Sequence, residues 1–273
     1  MAGALQIVAG AMLREALNGA VRVFLAPACV GCDGLLREPL NGPVCAPCWR
    51  AVAFVSSPWC ARCGDELSLA TEPALCARCL AAAPAFSIAR SAGRYDGALR
   101  RIIHAFKYEH RRALAPALAR LMADAGADVL DDADALVPVP LHPLRSLTRG
   151  FNQADDLARH LGLPVWRLLR RTTLGRPQAA LSAERRRTNV ARAFSARPRL
   201  PVATNAWRWR RVRGRTVVVV DDVMTTGATL DACSRVLLDL GAREVRALTA
   251  ARAVAAPPGS PPAQRRPATV RHR

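Results

Sequence analysis

The chain has 273 residues and 51% apolar content, enough for one α/β domain with a packed core and a small extra module. Its formal net charge is +19, carried by arginines apart from a lone lysine, Lys107. Fourteen arginines and one acid, Glu184, fall within 170–215, and four more arginines lie within 257–273. Charge so clustered points to an anionic partner, a polyphosphate or a nucleic acid, or else to a solvated basic surface. No run approaches the ~20 apolar residues of a spanning helix. No basic residue precedes the apolar stretch at Ala4, as a secretion signal would need, so the cytosol is the expected compartment.

In chain order, 5–25 reads as one amphipathic helix, part of an N-terminal segment 1–28 packed on the module that follows. Eight of nine cysteines then form four Cys-x-x-Cys pairs within 29–84: Cys29/Cys32, Cys45/Cys48, Cys60/Cys63 and Cys76/Cys79. Each half of this repeat has the spacing of a zinc ribbon, two knuckles giving four thiolates to one tetrahedral Zn²⁺. Disulfides would require an oxidising compartment. Two structural zincs are therefore expected, paired within halves, with pairing across halves left open. Gly64, and the Asp33-Gly34 step in the first half, suit the positive φ that follows a knuckle. Cys233 stands apart and reads as a small core residue.

From 85 to 255 the pattern is α/β. Tyr95-Asp96-Gly97 is a turn, and the next residues, through Tyr108, have helical apolar spacing. A second helix covers 114–121. Residues 135–142 form a short buried strand that prolines end quickly. A basic loop follows, with Arg145 and Arg149, and then a helix over 154–161. Val217, Val218, Val219 and Val220 read as a strand buried on both faces, with Asp221 and Asp222 at its C-terminal end. A Thr225-Thr226-Gly227 turn leads into a helix over 230–240, stopped at Gly241. Strand, acids, small hydroxyls and helix N-terminus together make a phosphate cradle beside carboxylates suited to sugar hydroxyls. Neither a Walker loop nor a dinucleotide fingerprint is present. Residues 256–273 are Pro-rich and basic and read as a disordered tail.

The acidic pair with its Thr-Thr-Gly loop resembles the phosphoribosyl pyrophosphate (PRPP) motif of type I phosphoribosyltransferases. Further stretches occur in order with it: Tyr95 with Lys107-Tyr108, Val137-Pro138-Val139-Pro140-Leu141-His142, Arg149-Gly150-Phe151-Asn152-Gln153, and Gln178 and Leu181 with Arg185 and Asn189. Preceded by the cysteine pairs, they resemble the ComF family, a double zinc ribbon fused to a type I phosphoribosyltransferase-like parallel sheet with flanking helices. The resemblance implies that Asp221 and Asp222 bind the ribose hydroxyls of PRPP. Residues Val223, Met224, Thr225, Thr226, Gly227, Ala228 and Thr229 would complete that site, the last five wrapping the 5′-phosphate. Val139, Pro140, Leu141, His142, Arg145 and Arg149 would serve the pyrophosphate loop. Arg185, Arg187 and Asn189 would belong to a lid over 171–194. The basic triplet at Arg186 reads equally as solvated charge, and Lys107 as either a pyrophosphate contact or a surface residue.

Mg²⁺ would accompany PRPP. The resemblance also implies a role in natural competence, with single-stranded DNA and a competence helicase as partners at the inner face of the membrane. The alternative is an active phosphoribosyltransferase of nucleotide salvage or synthesis. The Trp207-Arg208-Trp209-Arg210-Arg211 segment reads either as a base-stacking ribbon or as a sheet-edge strand.

Overall fold

The computed structural model describes residues 2–70, 72–141, 150–172, 193–196 and 211–253. Its strands are β1 (Ala89–Arg94), β2 (Ala135–Pro138), β3 (Leu169–Arg171), β4 (Phe194–Ala196), β5 (Thr216–Met224) and β6 (Glu244–Arg252). Four make one sheet in the order β1-β6-β5-β2, and every neighbouring pair is parallel. β3 and β4 form a separate antiparallel pair. The helices are α1 (Ala2–Leu25), α2 (Ala46–Arg50), α3 (Ala77–Ala81), α4 (Gly97–Tyr108), α5 (Ala115–Ala125), α6 (Ala127–Leu130), α7 (Gln153–Ala158) and α8 (Ala228–Asp239).

β5 shows why the sheet is buried on both sides. Val218 and Val220 enter one apolar layer with Ile102, Phe106, Leu118 and Leu248. Val217 and Val219 enter the other with Leu230, Leu237, Val245 and Ala247. All four valines are fully buried, each worth roughly 1.5–3 kcal/mol relative to exposure. α4 supplies the first layer from Leu99, Ile102, Ile103 and Phe106, spaced on one helical face and all fully buried.

β5 does not end at Val220 as its sequence suggests. It runs on through Asp221, Asp222, Val223 and Met224, because the equally long β6 pairs with it to the end, Asp221 with Thr249 and Met224 with Arg252. The acids therefore lie inside the ladder, near its C-terminal edge. α8 begins at Ala228, one residue after Gly227 takes a left-handed φ of 81°. It ends at Asp239, with Gly241 at φ 95° just beyond.

The ribbons are built into this core. Cys29, Leu36, Val44, Cys48 and Val52 join the α4 layer, and Cys60, Cys63, Cys79 and Phe86 join the α8 layer. Between the ribbons, Phe54 bridges Gly93 of β1, and Arg94 N–H donates to the Ala53 carbonyl at 2.7 Å.

α1 departs from expectation in how it packs. Asn18 is buried and its Oδ1 accepts from Leu40 N–H, while Arg14 donates to Asn41 Oδ1 at 2.6 Å. These polar contacts hold the helix. Met12, Leu13, Val23, Phe24 and Leu25 stay 63–83% exposed, because the apolar residues surround the helix instead of forming one stripe. No helix among the described residues is long and apolar enough to cross a membrane.

Candidate functional site

Two tetrads of sulfur emerge from the ribbons. Cys29, Cys32, Cys45 and Cys48 place their Sγ atoms within 4.8 Å of one another, and so do Cys60, Cys63, Cys76 and Cys79. Zn–S bonds of about 2.3 Å in a tetrahedron set the sulfurs ~3.8 Å apart. Cys32–Cys45 is 3.8 Å and Cys63–Cys76 is 3.6 Å. The donor set thus fits zinc, with pairing within each half. Four thiolates per site leave no position open for water, which makes the zincs structural.

The local geometry repeats between halves. Asp33 has φ 60° and Gly64 φ 68°, each the residue after its knuckle. Each turn closes with an N–H donating back, Asp33 to the Cys29 carbonyl and Gly64 to the Cys60 carbonyl. Cys29 Sγ accepts from Gly31 and Cys45 N–H at 3.3 Å, contacts of the kind that orient thiolate ligands. α2 and α3 start directly after Cys45 and Cys76.

The second site lies at the C-terminal end of β5, which runs on to Met224 past its last pairing with β2, Pro138 with Val220. Thr225 and Thr226 are exposed, and Thr226 Oγ1 accepts from Ala228 N–H at 3.4 Å. Gly227 is required by both conformation and space. A Cβ there would adopt a left-handed φ and stand 2.7 Å from Met224 Cε. Thr229 is half-buried in the first turn of α8, whose leading N–H groups have no intrahelical acceptor.

Asp222 forms an ion pair with Lys107 Nζ at 2.7 Å, and that ammonium also lies 5.8 Å from the Tyr95 ring centre. The sole lysine is therefore delivered by α4 to the acidic pair. Asp221 accepts from Asp222 N–H at 2.9 Å. The residue is half-buried, and protein crowds its carboxyl group. That burial, with the Asp222 charge next to it, pushes its pKa up to about 7, while Lys107 and Arg171 pull it the other way.

The sign of the stability effect follows. An acid held above its unfolded value of ~3.9 binds its proton more tightly when folded, so its contribution is whole below about pH 4 and fades as pH rises through about 7. Asp221→Asn is expected to flatten the fall in melting temperature between about pH 4 and pH 7, measured by calorimetry. A variant as pH-dependent as the parent would refute the assignment.

Beside β5, Val139 N–H donates to the Val220 carbonyl at 2.9 Å, and Pro140 and Leu141 follow half-buried. Asn152 fixes this end of β2 by donating from Nδ2 to the Val139 carbonyl at 3.0 Å, while its Oδ1 caps α7 at Ala154 N–H. Phe151 fills the space beside Phe106, with Arg112 over its ring. His142, Arg145, Arg149, Arg185, Arg187 and Asn189 lie outside the described residues, as does the Trp-Arg segment up to Arg210.

Three contributors escaped the sequence reading. Asn152 was visible within Arg-Gly-Phe-Asn-Gln but carried no role. Arg171, at the end of β3, and Arg252, at the end of β6, carry no signal in a chain so rich in arginine.

Comparison with known proteins agrees with this geometry. A double zinc ribbon domain matches residues 20–80, and a phosphoribosyl transferase domain matches 146–265. Competence protein F of Haemophilus influenzae is 35% identical over 235 residues, covering 82% of this chain and 96% of that protein. The chain belongs to the ComF family. Other members include the DNA utilization protein YhgH of Escherichia coli O157:H7, 33% identical over 78% of this chain and 92% of the relative. Competence protein ComFC of Bacillus subtilis is 26% identical, covering 78% of each chain. ComF membership joins the two halves described above, a pair of four-cysteine zinc sites and a phosphoribosyltransferase-type sheet.

Proposed function

We propose that this ComF protein binds Mg²⁺–PRPP at the β5 edge and acts in DNA uptake during natural competence. The observation that carries the reading is the meeting of Asp221, Asp222 and Lys107 with the Thr225–Gly227 turn beside the end of β2. Asp221 and Asp222 accept the ribose hydroxyls, and Thr225, Thr226 and the first turn of α8 receive the 5′-phosphate. Lys107 faces the diphosphate side once ribose engages its present partner. Mg²⁺ bound to the diphosphate would supply charge neutralisation there.

The DNA role draws support from relatives named for competence and DNA utilization, and from α4. Its outer face and the following turn expose Arg100, Arg101, His104 and Arg111. The His104 and Tyr108 rings lie beside them, their centres 4.8 Å apart and their planes tilted by 42°. Cations next to exposed rings suit a flexible single strand, whose bases are free to stack. The exposed apolar end of α1 at Phe24 and Leu25 is compatible with work at the inner membrane face beside a helicase.

Replacing Arg100, Arg101 and Arg111 by alanine is expected to weaken single-stranded DNA binding at least tenfold at low salt. It should also reduce the slope of log K against log[salt] by roughly 2, since each phosphate contact on a single strand contributes ~0.7. An unchanged slope in a fluorescence anisotropy titration would remove α4 from the DNA surface.

The second reading is an active phosphoribosyltransferase, in which a nucleophile displaces pyrophosphate from C1 of PRPP. Calorimetry of Mg²⁺–PRPP on zinc-loaded protein, with pyrophosphate release followed in the same sample, separates the two. Binding without release across candidate acceptors supports a PRPP-responsive DNA-handling protein. Release with one acceptor supports the enzyme, and absence of binding defeats both.

A further inference from the structure

Arg252 is the largest side chain fully buried in the described structure, at 1% exposure. A buried guanidinium is costly unless its N–H groups are matched, so its partners report what it is there to hold. Nε donates to Asp65 Oδ1 at 2.8 Å. Nη1 donates to the Cys63 carbonyl at 2.7 Å and approaches Met224 Sδ at 3.1 Å. Nη2 reaches Cys63 Sγ at 3.6 Å. The residue's own carbonyl accepts from Tyr95 N–H at 2.6 Å, and the next N–H, of Ala253, donates to the Met224 carbonyl at 2.9 Å.

One side chain thus touches a zinc ligand, the turn after it, and the last residue of β5. Met224 in turn lies directly beneath Gly227, the pivot of the phosphate turn. The second ribbon is pinned here at two further points. Gly64 packs so tightly on the Ala89 carbonyl that a Cβ would stand 2.6 Å from it. Ala85 N–H, just after the ribbon, donates at 2.6 Å to Asp231 Oδ1 in the first turn of α8. The first ribbon has a different address among the described residues, packing through Cys48 and Val52 on the α4 layer.

We propose that Arg252 is a positioning residue through which the second zinc ribbon supports the phosphate turn, so that zinc at Cys60, Cys63, Cys76 and Cys79 sets the order of residues 224–229. A knuckle this short has little core of its own, and metal supplies its rigidity. With zinc bound, the Cys63 carbonyl and Asp65 stand fixed, Arg252 is matched, and Met224 is held under Gly227. Without it, these acceptors lose their anchor and the turn loses its floor. The inference extends the PRPP reading, since a phosphate bound at the turn would be linked to zinc by a coupling that acts in both directions.

The test is amide hydrogen exchange of peptides covering 221–231 in the full-length, zinc-loaded protein. Arg252→Met keeps Asp65 paired with Arg78, and is expected to speed exchange across 224–231 at least tenfold while both zincs remain bound. Arg252→Lys should restore part of the protection. Cys76→Ser should reproduce the effect of Arg252→Met, and Cys32→Ser should loosen this segment far less than Cys76→Ser does. Equal exchange in Arg252→Met and the parent overturns the proposal, as does equal loosening by the two cysteine variants. A second readout is zinc transfer to a chromogenic chelator with and without PRPP. One of the two zincs should leave several-fold more slowly when PRPP is present. A parent protein that fails to bind PRPP would count against the PRPP site, while the exchange comparison would still decide the role of Arg252.

Discussion

Replacing Asp221 and Asp222 together by asparagine is expected to lower affinity for Mg²⁺–PRPP at least a hundredfold while leaving the protein folded. Ionised carboxylates make hydrogen bonds roughly twice as strong as neutral acceptors, and above about pH 7, where Asp221 has also lost its proton, two of them would face the ribose hydroxyls. The fold should survive because the two replacements act in opposite directions. Asp221→Asn would remove the burial penalty that pushes the acid up to about 7. Asp222→Asn would lose the Lys107 ion pair, but lysine can extend its stem and hydrate its ammonium. Calorimetry measures the affinity, and the melting temperature controls for folding. Unchanged affinity in a folded double variant would place PRPP elsewhere or nowhere on this chain.

Much of that site was legible before the structure. Four consecutive valines read as a strand buried on both faces, and two acids ending such a strand cost stability without a ligand. The cysteine spacing likewise encoded the tetrads. What stayed hidden was the context. β6 contains Arg246, Ala247, Ala250, Ala251 and Arg252, a composition that favours helix, yet it lies at the centre of the sheet. Small side chains there let helices approach both faces, and tertiary packing overrides local preference. β1 is hidden for the same reason, with Ala89, Ser91, Ala92 and Gly93 in six residues. The missed strands explain the missed arginine. Arg252 acquires meaning only when β6 is known to end beside Met224, 189 residues from the Cys63 it contacts. Lys107 was ambiguous because its helix could not be oriented from sequence alone, and the buried face of α4 turned it toward Asp222.

Removal of zinc should have the largest effect on stability. A structural Zn²⁺ in a small ribbon carries an apparent ~10–16 kcal/mol of binding free energy that doubles as folding free energy, more than most domains' whole margin of about 5–15 kcal/mol. Here the loss would not remain local. Cys29 and Cys60 are fully buried and share apolar layers with both faces of the sheet, so collapse of the ribbons exposes core around Phe86, Ala89 and Ile102. Incubation with a strong chelator under reducing conditions is expected to release two zincs per chain and to lower the melting temperature by more than about 15 °C, since 1 kcal/mol shifts a protein of this size by roughly 2–4 °C. Thiol titration follows the same event. Cys233 is buried in α8 and should stay silent while the fold persists, so eight thiols should appear with the metal and a ninth only on full unfolding. A chelated protein that melts like the parent would show that the tetrads hold their shape by packing alone.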